Sequence, residues 1–180
     1  MVLSKEDEEL FYELFFPLLD FVNKKYGINA GVGEIYFGKT LDPLDAKGIA
    51  DRLWENAAVI DEYLAEKKLS EEHKNIILGW KKRISGKFIV ERHLKRGSVF
   101  ICAETEEVYF VSGIISSWDE MLCGRPLPAV LEAVLIPFKN VIISDGLVSA
   151  SNLFFGKNLT EEFKAIYLNV KKNRSVHKFF

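Results

Sequence analysis

A chain of 180 residues with 48% hydrophobic and 13% aromatic residues has ample material for a packed core, and its 28% charged fraction argues against both a disordered segment and a coiled-coil rod. The net charge of −2 supplies no global field aimed at nucleic acid or an anionic membrane. Residues 1–84 hold 12 Lys/Arg against 16 Asp/Glu and residues 85–180 hold 12 against 10, an asymmetry too small to name a partner.

The acidic start, Met1 to Glu9, lacks the basic and apolar regions of a signal peptide. No apolar run approaches the roughly 18–20 residues that span a bilayer. Cys102 and Cys123 have no CxxC spacing and no histidine cluster beside them, so neither a zinc site nor a disulfide framework is expected. These features point to a cytoplasmic protein with free thiols.

Ser4 with Asp7 three residues on is a capping-box variant. Leu10, Phe11, Leu14, Phe15, Leu18 and Val22 then repeat at helical spacing. Pro17 sits inside that run, which predicts a kink or two short helices, ending by Gly27. Gly31, Gly33 and Gly38 mark a loop, with a short strand expected at 34–37. Asp42-Pro43 opens a helix whose stripe runs Ile49, Leu53, Trp54, Ala57, Ile60 and Leu64. Ser70 starts another, with Ile76, Ile77, Trp80 and Ile84 as its buried side and Gly86 as its stop.

From Lys87 the period becomes alternating. Phe88, Val90 and Leu94 share a face interrupted by Arg92, a turn follows at 95–98, and strands at 99–103 and 108–112 complete a meander. Ser117 caps a short helix over 118–122. Strands are expected at 130–137, 141–144 and 147–151, with Asp145-Gly146 as a hairpin turn and Pro137 at an edge or bulge. Thr160 begins a last helix with the stripe Phe163, Ile166, Tyr167 and Val170, and the tail from Asn173 to Phe180 is loose unless Phe179 and Phe180 dock. Helices first and strands second define an α+β class. We expect one domain over 1–180, with a helical half (1–86), a β-rich half (87–151) and a helix over 159–173. The N-terminal helices would cover an antiparallel sheet or open barrel of about six strands.

No segment carries a specific catalytic or cofactor motif, and no cofactor or metal is expected. Cys102 and His93 on neighbouring strands offer a weak Cys–His pair, but Cys102 lies in the apolar run Val-Phe-Ile-Cys-Ala, where a buried structural cysteine is the commoner outcome. Glu104, Glu106 and Glu107 lack calcium-loop spacing, and Asp119 and Glu120, adjacent on a helix start, point in different directions. Gly31-Val32-Gly33 lacks the remainder of a phosphate-loop pattern. Three features bear on binding. Arg92, His93, Lys95 and Arg96, with Lys81–Arg83 and Trp80 nearby, form the densest basic region, one way to hold single-stranded nucleic acid, although charge runs at a helix end and a hairpin tip are more often solvated surface. Arg92 either anchors a buried carboxylate, binds an anionic ligand, or equally sits where that sheet face emerges into water. Phe16 and Phe21 fall off the main stripe of their helix and mark a second apolar face.

Trp80-Lys81, Phe88-Ile89-Val90-Glu91-Arg92-His93-Leu94-Lys95, Leu135-Ile136-Pro137-Phe138-Lys139 and Ile142-Ile143-Ser144-Asp145-Gly146-Leu147 together resemble a family of uncharacterised bacterial proteins. The resemblance spans residues 80–148, implies a bacterial cytoplasmic origin, and carries no activity and no site residue with it. A non-catalytic module that binds another protein, through the helical half or an open sheet edge, is therefore the first expectation. A nucleic-acid binder using the basic 81–96 region is the alternative, and an enzyme with dispersed site residues the third.

Overall fold

The computed structural model describes residues 2–36, 38–39 and 41–179. The chain groups into two compact units, Ser4–Lys81 and, together with the first three residues, Lys82–Phe180.

The first unit is helical: α1 (Lys5–Tyr26), α2 (Pro43–Glu55), α3 (Val59–Glu66) and α4 (Glu71–Gly79), closed by a 3-10 turn that begins at Trp80. Its starts are set locally. Ser4, Asp42 and Ser70 each accept a backbone N–H of their own helix, from Asp7, Leu44 and His73. Gly27 ends α1 in the left-handed region, where a side chain would be strained. Phe11, Leu14, Phe15, Leu18, Ile49, Leu53 and Trp80 are buried together with Trp54 and Ile60. Phe11 stacks on Phe15 at 5.1 Å, and Trp80 stands edge-on to both.

Three expectations are corrected in this unit. Of the kink or two short helices expected at Pro17, the two short helices do not form, because one helix runs through it. A proline inside a helix costs about 3 kcal/mol, whereas Leu14, Phe15, Leu18 and Leu19 are all buried around it, at roughly 1.5–3 kcal/mol each. The stripe from Ile49 to Leu64 belongs to two helices broken at 56–58, not one. Residues 34–36 form no strand, and Phe37 lies outside the described residues. Instead Ile35 is buried and its N–H donates to the Asp20 carboxylate at 2.9 Å.

The second unit carries β1 (Ile84–Leu94), β2 (Gly97–Cys102), β3 (Val108–Ser112), α5 (Trp118–Met121), β4 (Ala129–Phe138), β5 (Val141–Ser144), β6 (Ser149–Ala150) and α6 (Lys157–Lys172). The strand order is β1-β2-β3-β5-β4-β6, and β1 also pairs with β4, so β1, β2, β3, β5 and β4 close a ring. All pairings are antiparallel except β3 with β5. The five-strand ring in this order closes a barrel, with α5 between β3 and β4. The α+β class, the mostly antiparallel six-strand sheet and the C-terminal helix expected from the periodicities all hold.

β1 is long because it serves two neighbours: Ile84–Val90 pair with β4, and Phe88–Leu94 pair with β2. Between Val90 and Arg92 the register against β2 slips by one residue, a bulge at Glu91. Phe88 and Val90 therefore face the interior with Phe100, Cys102, Tyr109, Val111 and Leu131. Beyond the bulge the faces exchange. Arg92 does not interrupt the core face, as expected from the alternation, but lies on the outer side against α6. α5 closes one end of the interior: Trp118 packs edge-on to Phe100 at 4.8 Å, and its indole N–H donates to the Ser112 carbonyl at 3.3 Å. Ser117 and Glu120 complete a full capping box there.

Two further expectations change. The first strand of this unit begins at Ile84 rather than Lys87, so Gly86 pairs with Ala133 instead of stopping a helix. Asp145-Gly146 is a turn but not a hairpin, because β6 pairs with β4 and not with β5. β1 already holds one side of β4 across 129–135, so β5 and β6 follow one another along the other side. Asp145 sits between them, its N–H donating to Val134 and its carboxylate accepting from Leu147.

The outer face of β1–β3 is covered by α6. Ile89, Val99, Ile101 and Val108 pack with Tyr167, and Phe155, Phe163, Ile166, Val170 and Val176 surround them. The expected stripe of the last helix is thus its packing face, although the helix begins three residues earlier than Thr160. The tail docks through a residue other than the one expected. His177 makes a parallel bridge to Tyr109, while Phe179 is exposed and Phe180 lies outside the described residues. Among the described residues no helix is long and apolar enough to cross a membrane.

Candidate anion-binding site

The C-terminal end of α6, the tip of the β1–β2 hairpin and the docked tail enclose a pocket of about 580 Å³. Its floor is apolar (Leu94, Phe110, Tyr167 and Val176) and its rim is cationic: Arg96, Lys171, Arg174 and Lys178. No carboxylate among the described residues lines it. Among the described residues, none of the four cations makes an ion pair with an acid.

Each part is positioned by its own local chemistry. Gly97 lets the hairpin turn tightly over β3; a Cβ there would meet the Val111 carbonyl at 2.6 Å. α6 ends in a Schellman arrangement, with Ser175 N–H donating to Val170 and Arg174 N–H to Lys171, and Arg174 taking the left-handed position at φ 56°. Tyr167 lies under two cations, the Arg92 guanidinium 4.6 Å and the Lys171 ammonium 5.7 Å from its ring centre. Arg92 is itself held by Glu91, whose carboxylate accepts from Nε and, at 2.7 Å, from Nη2. That bonding raises the Arg92 pKa further above its usual value. The carboxylate-anchoring role foreseen for Arg92 is therefore filled within the chain, by a neighbour that is itself buried.

The basic stretch of β1 and its turn fans out in several directions. Arg92 points under α6 and Arg96 into the pocket, while Lys95 is exposed at the tip. His93 is not on the polar side of its strand, as expected, but turns inward beyond the bulge. Its Nδ1 is 2.7 Å from Ser98 Oγ, and Nε2 is 3.7 Å from Asp119. Ser, His and Asp in a row evoke a hydrolytic triad, but Ser98 is only 2% exposed and cannot reach a substrate. Cys102 pairs with Phe88 and His93 with Ser98, five positions apart along β1, so no Cys–His pair forms.

The remaining foreseen residues belong to the helical unit. Trp80 is fully buried between Phe11 and Phe15 and offers no face to a ligand. Phe16 is half-buried against Tyr12, and Phe21 half-buried against Tyr63. Phe21 also borders a second pocket of about 460 Å³ with Pro17, Asp20, Lys24, Lys25, Glu66 and Lys67. There the charges cancel: Lys24 pairs with Asp20 at 2.6 Å and Lys25 with Glu62. Among the described residues no group of His, Cys, Asp and Glu is placed to hold a metal.

Sequence reasoning passed over Lys171, Arg174 and Lys178. The available signal was compositional: residues 163–180 contain five Lys/Arg and no Asp/Glu. No family model, curated protein or solved structure matches the chain.

The inward position of His93 has a measurable effect. Burial lowers its pKa below the usual 6.5, and Asp119 opposes this only in part. The folded state thus takes up this proton at lower pH than the unfolded chain does. The contribution to stability is present above about pH 6.5 and is lost as pH falls through the lowered value. Urea midpoints measured downward from neutral pH should fall more steeply for the native protein than for His93→Gln.

Proposed function

We propose that this protein is a non-catalytic binding module for single-stranded nucleic acid, engaged at the pocket between α6, the β1–β2 hairpin and the tail. The observation that carries this is the four-cation rim around an apolar floor, with no acid among the described lining residues. Cations spaced along a groove follow a phosphodiester backbone by charge, and a half-exposed ring such as Phe110 offers a surface for a base. OB-fold barrels host oligonucleotide sites, an analogy of fold that supports the proposal without assigning any residue. The protein-partner alternative has less support, because the ring of strands leaves little open edge and both Phe16 and Phe21 lie against neighbouring rings. We infer a bacterial cytoplasmic setting from the sequence resemblance and from the two unpaired cysteines.

Anisotropy of a labelled oligothymidylate and of an oligouridylate tests this. If each of the four cations meets one phosphate, affinity falls with a log–log salt slope of about −2.8, roughly 50-fold between ~50 and ~200 mM salt. Lys171→Glu and Arg96→Glu should each weaken binding by about tenfold or more and flatten the slope. Absence of binding at low salt, or binding indifferent to salt, would reject the proposal.

A further inference from the structure

The pocket has one wall that is not part of the barrel or of α6. Residues 175–178 leave the helix end and lie along β3, where Phe110 N–H donates to the His177 carbonyl and His177 N–H to the Val108 carbonyl, both at 2.8 Å. An extended segment presents alternate side chains to opposite sides. Val176 and Lys178 accordingly line the pocket, beside Arg174 at the capped end of α6, while the His177 ring stacks on Tyr109 at 5.0 Å. Tyr109 is in turn fixed by donating its hydroxyl to Glu107 at 2.8 Å. Burial, reinforced by Glu107, pushes the Tyr109 phenol well above its usual range, so this hydroxyl stays a donor.

We infer that this tail is a ligand-coupled wall, with His177 as the positioning residue that brings Lys178 to the nucleic acid. Docking adds this cation to a rim that already holds Arg96, Lys171 and Arg174, with no carboxylate among the described lining residues to balance it. Like charges brought together oppose docking, and a bound polyanion removes that opposition. Ligand therefore tightens the tail and, by linkage, a docked tail tightens the ligand. This rests on the nucleic-acid proposal above, and the test separates the two.

The full chain is followed by amide hydrogen exchange with and without oligothymidylate at low salt, and by oligothymidylate affinity in two variants. Ligand should slow exchange at the His177 and Phe110 amides by about tenfold, while the Phe88 amide within the barrel is unchanged. His177→Pro removes the N–H donated to Val108 and should lower affinity about tenfold, within the usual range of coupling between sites. His177→Tyr keeps both the N–H and a stacking ring and should restore affinity to within about twofold. A protein that binds, with unchanged exchange at these amides and equal affinity in His177→Pro, would overturn the coupled wall and leave the site standing. Failure of the native chain to bind would overturn both.

Discussion

Gly113→Ala should lower the stability of the barrel unit by about 3 kcal/mol, the upper end of the cost of overpacking, and its melting temperature by roughly 12–24 °C. A Cβ at Gly113 would stand 2.0 Å from the Ser116 carbonyl oxygen and 3.0 Å from its carbon. Both obstacles are backbone, so no rotamer change relieves them. The turn cannot open freely either, because the Gly113 carbonyl accepts from Leu3 N–H at 3.2 Å and Ser117 immediately begins the capping box of α5. Gly48→Ala is the natural control. Gly48 lies exposed within α2 with no atom near its missing Cβ, so alanine there should stabilise the helical unit by about 0.5–1 kcal/mol. Thermal or urea unfolding of the two variants should shift in opposite directions. Equal, small shifts would mean that the 113–117 turn yields more readily than its geometry implies.

What was legible in the sequence was what neighbours in the chain decide. Ser4, Asp42, Ser70 and Ser117 all cap helices as expected, because a cap involves only a side chain and an amide two or three residues on. The stripe Phe163, Ile166, Tyr167 and Val170 was equally plain, since helical periodicity is local. The bulge at Glu91 was not, because a one-residue slip is fixed by what β2 and β4 offer to β1. That slip moved Arg92 and His93 to faces opposite to those the alternation gave them.

The basic site suffered from the same cause. Lys81, Lys82 and Trp80 are adjacent in sequence, yet the end of α4 turns Trp80 into the core, so nearness along the chain made a false platform. The cations that do share a pocket, Arg96 with Lys171, Arg174 and Lys178, are far apart in sequence. Only ring closure and the docking of α6 across β1–β3 bring them together. The acid-free stretch 163–180 carried the charge half of that information, and nothing in the sequence carried the geometry.

Tyr167→Ala should have the largest effect on both the fold and the site. Tyr167 is the buried residue of α6, and its ring joins the helix to Ile89, Val99, Ile101 and Val108 beneath. Removing a buried aromatic ring costs about 3–5 kcal/mol. The Arg92 and Lys171 contacts with the ring, each worth roughly 0.5–1 kcal/mol where exposed, are lost as well. Because Tyr167 also floors the pocket, a loosened α6 would carry Lys171 and Arg174 away from Arg96, and oligonucleotide affinity should fall together with stability. Tyr167→Phe separates the ring from its hydroxyl: it keeps the packing and both cation contacts, so stability should change by less than about 1 kcal/mol and affinity by less than about threefold. If Tyr167→Ala destabilises the protein while leaving affinity intact below its unfolding transition, the floor of the pocket plays no part in binding and the cations act from the rim alone. If both variants lose affinity equally with Tyr167→Phe fully folded, the phenolic hydroxyl itself touches the ligand and the ring beneath it serves only to hold α6.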